Sequence, residues 1–133
     1  MIAVAGFMTE GSEEESEWGQ LIKHTDRNNI STYACNWRSG KEEDAPEAST
    51  LDGTFGMFND ALQQSRLTGE LLACTLAARI PFFTQRISLL GHCLGTSVIS
   101  SCLEVLYELG VSDLIENVTL IAGATGCYDS DEE

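Results

Sequence analysis

Apolar residues fall in short blocks, and the spacing inside each block separates strands from helices. Met1 to Phe7 is apolar with no polar alternation, the pattern of a strand buried on both faces. After a polar, acidic loop over residues 8–16, Trp18, Leu21 and Ile22 stand three and four apart, which predicts a short amphipathic helix over Glu17 to Asn28, ended by Asn28 and Asn29. Ile30 to Trp37 mixes β-branched and aromatic residues between turn formers and reads as a second strand. Arg38 to Thr54, with Gly40, Pro46 and a run of acids, reads as a loop. From Phe58 to Arg79, the residues Phe58, Leu62, Leu72, Leu76 and Ile80 keep close to a helical repeat, with Pro81 as the stop. Gly69 in that helix costs about 1 kcal/mol against Ala, so its presence predicts a close packing contact. A third strand follows over Arg86 to His92, a third helix over Leu94 to Leu109 with Gly110 as its stop, and a fourth strand over Val118 to Ala124. Strands alternating with helices predict an α/β fold with a parallel sheet, right-handed crossovers and helices on both faces. Ligands then bind outside the carboxyl ends of the strands.

Charge changes the picture less than its total suggests. The 133 residues carry 21 acids and 7 Lys plus Arg, for a net charge of −14. Thirteen of the acids lie in three runs: Glu10 to Glu17, Glu42 to Glu47, and Asp129 to Glu133. The remaining 8 nearly cancel the 7 bases, so a neutral core (residues 1–128) carries acidic loops and an acidic tail (129–133). A polyanion repels phosphate backbones, which excludes charge-driven binding of nucleic acid. With 43% hydrophobic residues a core can be buried. The longest apolar stretch, Leu71 to Phe83, is broken by Thr75, Arg79 and Pro81 and is shorter than the roughly 20 residues of a membrane helix. The five cysteines show no Cys-x-x-Cys spacing, which argues for an intracellular, reducing compartment and against a disulfide framework or a zinc site. No cofactor is called for.

The chemistry gathers at Gly91-His92-Cys93-Leu94-Gly95, between the third strand and the third helix. This is G-x-S-x-G with Cys in the serine position, in the strand-turn-helix setting that gives the pattern meaning. A turn that sharp strains the central residue and needs small residues two before and two after it. Cys93 then stands at the amino end of a helix, where the dipole and free N–H groups favour a thiolate. The Leu94 N–H becomes one half of an oxyanion hole, and the turn after the first strand, at Phe7 or Met8, supplies the other.

A general base is harder to find. His92 is adjacent to Cys93, but neighbours on a tight turn project differently, so it reads as a packing or hydrogen-bonding residue. His24 reads as exposed helix surface. Asp129 and Asp131 follow the fourth strand, where an acidic triad member could lie, but read first as a solvated tail. Cys35, Cys74 and Cys102 read as core.

Gly91-His92-Cys93-Leu94-Gly95 resembles the elbow of lipases and other α/β-hydrolases. Together with Val4-Ala5-Gly6-Phe7-Met8-Thr9, Trp18, Asn36-Trp37-Arg38-Ser39, the helix through Ala61, Gly69 and Leu72, Leu89-Leu90-Gly91, Ile115 to Leu120, and Gly123-Ala124, it resembles the family of transmembrane and coiled-coil domain-containing protein 4. That family has a lipase-like α/β-hydrolase domain and associates with membranes through segments outside this region. The resemblance runs from Val4 to about Thr125. It implies a three-layer, partial α/β-hydrolase core whose four parallel strands lie in the spatial order second, first, third, fourth. It also implies Cys93 as nucleophile and the backbone of Leu94 and of Phe7 or Met8 as oxyanion donors. Two departures stand out. Cys replaces the family's Ser, as in dienelactone-hydrolase-like enzymes, and the strands that would bring the acid and the histidine are absent.

Three functions follow as expectations. One is a hydrolase core for an ester, thioester or lipid, with the acid and histidine supplied by further chain. Another is an inactive hydrolase-like module that meets a protein partner along an exposed sheet edge. The last is a redox-sensing thiol at a helix amino end.

Overall fold

The computed structural model describes residues 1–7, 9, 18–40, 51–79 and 85–124. Met8, Cys127, the three acidic runs and the boundary between core and tail lie outside the described residues. Four strands, β1 (Ile2–Val4), β2 (Tyr33–Cys35), β3 (Ile87–His92) and β4 (Ile115–Ile121), alternate with three helices, α1 (Gly19–Arg27), α2 (Leu51–Ala77) and α3 (Gly95–Glu108). The sheet is parallel throughout, in the order β2-β1-β3-β4. This is the second, first, third, fourth arrangement that the family resemblance implied.

Strand alternation divides the core between the two faces. Ala3 and Leu90 turn to one face, where they meet Trp18 with Leu21 and Ile22 of α1. Ile2, Val4, Ile87 and Leu89 turn to the other and pack with Leu76 of α2 and Val98, Ile99, Cys102 and Leu106 of α3. The result is three layers. Each fully buried Leu or Ile adds about 1.5–3 kcal/mol relative to exposure, so α3, which buries Val98, Ile99, Cys102 and Leu106 completely, is the main anchor of that face. Gly69 marks the close crossing that the sequence predicted. A Cβ there would meet the Val98 carbonyl oxygen, lie 2.6 Å from Ser101 Cβ and 3.0 Å from the Cys102 nitrogen. Beside it, Ser65 and Ser97 share a buried hydrogen bond of 2.9 Å between α2 and α3.

Several element boundaries differ from expectation. β1 is shorter than Met1 to Phe7 and ends at Val4. α1 begins at Gly19 rather than Glu17, and Asn29 ends its last turn with φ 59°, the left-handed stop that Asn favours. β2 is only Tyr33–Cys35 within the Ile30 to Trp37 expectation. α2 begins at Leu51, so residues 51–54 are helix rather than loop. It closes at Ala77, before Pro81, through Arg79 at φ 57°. β4 starts three residues earlier than expected, with Glu116 and Asn117 inside it. The β3–β4 pairing carries an irregularity between Ile87 and Ser88, which brings Asn117 opposite Ser88.

The first strand is buried on both faces, as its unbroken apolar run predicts, and so is most of β3, while the two edge strands are open. Tyr33 and Ala34 of β2 are exposed, and β4 exposes Val118, Leu120 and Ile121, at 49% for Leu120. An apolar edge strand with an unpaired rim is a template for association. The chain is therefore expected to form higher-mass species as its concentration rises in sedimentation equilibrium. Added salt, by screening the net charge of −14, strengthens that association. Val118→Lys shifts the distribution toward monomer. A monomer at all concentrations and salt levels would contradict the expectation.

Candidate active site

The site lies at the carboxyl end of the sheet, where β3 passes into α3. Gly91 and His92 end β3 opposite Leu120 and Ile121 of β4. The next residue, Cys93, has φ 50°, in the left-handed region that side chains other than glycine's avoid. Such a conformation costs about 1–3 kcal/mol and persists only where the surroundings enforce it. Here they do. Cys93 N–H donates to Ile121 O at 3.0 Å, and the Cys93 carbonyl accepts from Thr96 N–H at 3.1 Å and from Thr96 Oγ1 at 2.6 Å.

The two flanking glycines are required by space. A Cβ on Gly91 would lie 2.7 Å from Ile99 Cδ1 and 3.0 Å from the Gly95 carbonyl oxygen. One on Gly95 would run into the Val4 carbonyl oxygen and lie 2.7 Å from that of Ala5. The first turn of α3 thus rests directly on the backbone at the end of β1. From the other side, a Cβ on Gly6 would lie 2.9 Å from Cys93 Cβ and 3.7 Å from its Sγ. The turn after β1 and the elbow after β3 therefore meet at the thiol.

Two backbone N–H groups are left over at this junction. Among the described residues, neither Leu94 N–H nor Phe7 N–H has an acceptor. Leu94 itself is fully buried, while its N–H belongs to the free first turn of α3. Phe7 is held edge-on against Phe58 of α2, with ring centroids 5.5 Å apart at 78°. Met8, the alternative donor, lies outside the described residues.

A polar brace shapes the Phe7 turn, and sequence reasoning did not single it out. Trp37 Nε1 donates to Ala5 O at 2.9 Å, and Thr9 Oγ1 donates to Gly6 O at 2.8 Å. Thr9 N–H donates to Ser39 Oγ at 3.3 Å, and the two hydroxyls are 3.2 Å apart. The segment after β2 thereby fixes the turn after β1. Trp37 and Ser39 are both buried. Thr96, fully buried, was also missed, although a Thr three residues past a turn residue is placed to bond back to its carbonyl.

His24 is exposed on α1. His92 follows Leu90 in the alternation of β3, toward the α1 face, and its Nδ1 is buried. Asp129 and Asp131 lie outside the described residues. Among the described residues, no cluster of three His, Cys, Asp or Glu side chains could hold a metal, and no helix is long and apolar enough to cross a membrane.

The other cysteines divide by burial. Cys102 is fully buried, as expected, and Cys35 is half-buried against the core, but Cys74 is exposed on α2 rather than in the core. Burial pushes the Cys102 thiol up to about 12, with Cys35 and Cys74 adding to the rise, and burial also raises Cys35. A thiol whose folded value is raised stabilises the fold below its ordinary value of 9.0 and loses that contribution as pH climbs toward 12. Stability is thus expected to fall between pH 9 and 12, by up to about 1.4 kcal/mol per pH unit from Cys102. Urea midpoints across that range should flatten in Cys102→Ala. An equally steep fall in the variant would assign the loss elsewhere.

No curated protein matches the chain. A family model described as protein of unknown function (DUF726) matches residues 48–129, more than half of the chain, and takes in α2, β3, the elbow, α3 and β4. With the glycine-bounded elbow inside the matched stretch, the chain belongs to the DUF726 family.

Proposed function

We propose that the chain carries an α/β-hydrolase-like acyl-transfer site, with Cys93 as nucleophile and an ester or lipid as substrate. The observation that carries this reading is the left-handed Cys93 between Gly91 and Gly95, set against the Gly6 turn at the end of a parallel strand. The thiolate sulfur attacks the carbonyl carbon, the C–S bond forms, and the carbonyl oxygen takes the negative charge beside the Leu94 and Phe7 N–H groups. Collapse then breaks the C–O bond and leaves a thioester, and the departing alkoxide takes a proton from water or from the general acid of a complete triad to leave as the alcohol. The resemblance to the lipase-like family of transmembrane and coiled-coil domain-containing protein 4 supports an ester-type substrate, and it supports a full-length protein that associates with membranes. The base and acid of a complete triad belong, on this reading, to chain beyond the described residues. A reducing intracellular compartment keeps the thiol free.

An activated ester removes the need for a general acid, because p-nitrophenolate leaves unprotonated. Incubation with p-nitrophenyl butyrate, followed by peptide mass mapping, is expected to place a butyryl group on Cys93. A label confined to exposed Cys74, or none, would overturn the reading. A second reading, an inactive module that binds a protein partner along β4, is favoured by the exposed Val118 and Leu120. The absence of any Cys93 adduct is its expected result.

A further inference from the structure

The segment leaving β4 closes on the elbow as tightly as the strand that leads into it. Ala122, at φ 48°, turns the chain back, and Ala124 N–H then donates both to the Cys93 carbonyl at 3.3 Å and to Thr96 Oγ1 at 3.2 Å. Thr96 Oγ1 in turn donates to the same Cys93 carbonyl at 2.6 Å. One carbonyl oxygen therefore takes donors from the backbone of α3, from a buried hydroxyl and from the end of β4. Gly123 sits beside them, where a Cβ would be 3.7 Å from Thr96 Oγ1. A helix needs only the Thr96 N–H to start its first turn. The hydroxyl and the link to Ala124 are additional, and a fully buried hydroxyl without partners would be costly.

The consequence comes from peptide geometry. The Cys93 carbonyl and the Leu94 N–H belong to one planar trans unit and point in opposite directions. Whatever holds the carbonyl aims the N–H. We propose that Thr96 is a positioning residue: by tying the Cys93 carbonyl to the segment leaving β4, its hydroxyl fixes the direction of the Leu94 N–H and so sets how the thiol reacts with electrophiles that carry or develop negative charge. The proposal rests on the reading of Cys93 as the reactive group, and it does not require ester turnover.

Iodoacetate and iodoacetamide are similar in size and differ in charge, so the ratio of their rates reports an oriented N–H and helix end, whereas accessibility alone moves both rates together. Rates at Cys93 would be followed by peptide mass spectrometry, with circular dichroism as the check on folding. Thr96→Val is expected to lower the iodoacetate to iodoacetamide ratio by about two- to fivefold, the span of an anion's interaction with a helix amino end. Thr96→Ser, which keeps the hydroxyl, restores it. Ala124→Pro removes the N–H on the far side of the clasp and lowers the ratio in the same sense; it decides the matter alone if Thr96→Val does not fold. An unchanged ratio in the folded variants, a drop that Thr96→Ser fails to restore, or a Cys93 inert to both reagents overturns the proposal. A Cys93 that takes no butyryl group from p-nitrophenyl butyrate in any form, with the ratios as expected, would remove the acyl-transfer reading and leave the clasp standing.

Discussion

Gly95→Ala is expected to lose roughly 3 kcal/mol or more of stability, beyond the usual range for one added methyl group in a packed interior. The methyl would meet the Val4 carbonyl oxygen and lie 2.7 Å from that of Ala5. Those atoms cannot give way cheaply. β1 is hydrogen-bonded on both sides, to β2 and to β3, so a shift of its end disturbs two ladders at once. Against a total of about 5–15 kcal/mol for a domain, such a loss leaves a large unfolded population. Two other glycines calibrate the measurement. Gly110 has φ 70° with nothing around it, so alanine there costs only about 1–2 kcal/mol of backbone strain. Gly56 lies in α2 with no atom near its missing Cβ, and alanine there should gain up to about 1 kcal/mol of helix propensity. Urea unfolding should rank Gly56→Ala above the native chain, then Gly110→Ala, then Gly95→Ala. A Gly95→Ala protein within 0.5 kcal/mol of native, about the scatter of neutral surface changes, would mean that α3 does not rest on β1 as described.

The second large effect separates stability from reactivity at one residue. Cys93→Gly relieves a left-handed conformation costing about 1–3 kcal/mol and incurs about 0.5–1 kcal/mol of glycine backbone entropy. The expected net is a gain of about 1 kcal/mol, in a protein that has lost its capacity for acylation. Cys93→Ala loses that capacity too but keeps the strain, so its urea midpoint should stay below that of Cys93→Gly. Most substitutions destabilise; a gain confined to the glycine variant would mark strain held at this position. Equal midpoints for the two variants would show that the elbow stores none.

Much of this arrangement was legible because its constraints are local. The apolar β3 ending in Gly91, the glycine two beyond Cys93 and the stop at Gly110 each reflect a requirement of backbone geometry. The resemblance added the strand order. What escaped the sequence depends on the surroundings of each element. The apolar pattern starts the fourth strand at Val118, past polar Glu116 and Asn117, yet β4 is an edge strand open to water and carries them without cost. Cys74 fits an apolar helix pattern, but only the placement of α3 decides which face of α2 is covered. Residues 51–54 read as the end of a loop that holds Gly40, Pro46 and a run of acids, yet they form the first turn of α2. Thr96, Ser39 and Thr9 are unremarkable in one dimension. Their hydroxyls matter through partners about thirty residues away, at Ala124, Thr9 and Ser39 respectively.

The central claim is that Cys93 is a nucleophile placed to receive an acyl group, and the release of p-nitrophenolate in the first moments after mixing with p-nitrophenyl butyrate tests it most directly. An activated ester acylates a thiolate readily, so the thioester should form faster than it hydrolyses. The account predicts a burst of about one equivalent per chain, followed by slow turnover, and no burst in Cys93→Ala. A native chain with no burst, or a burst that survives in Cys93→Ala, would contradict it.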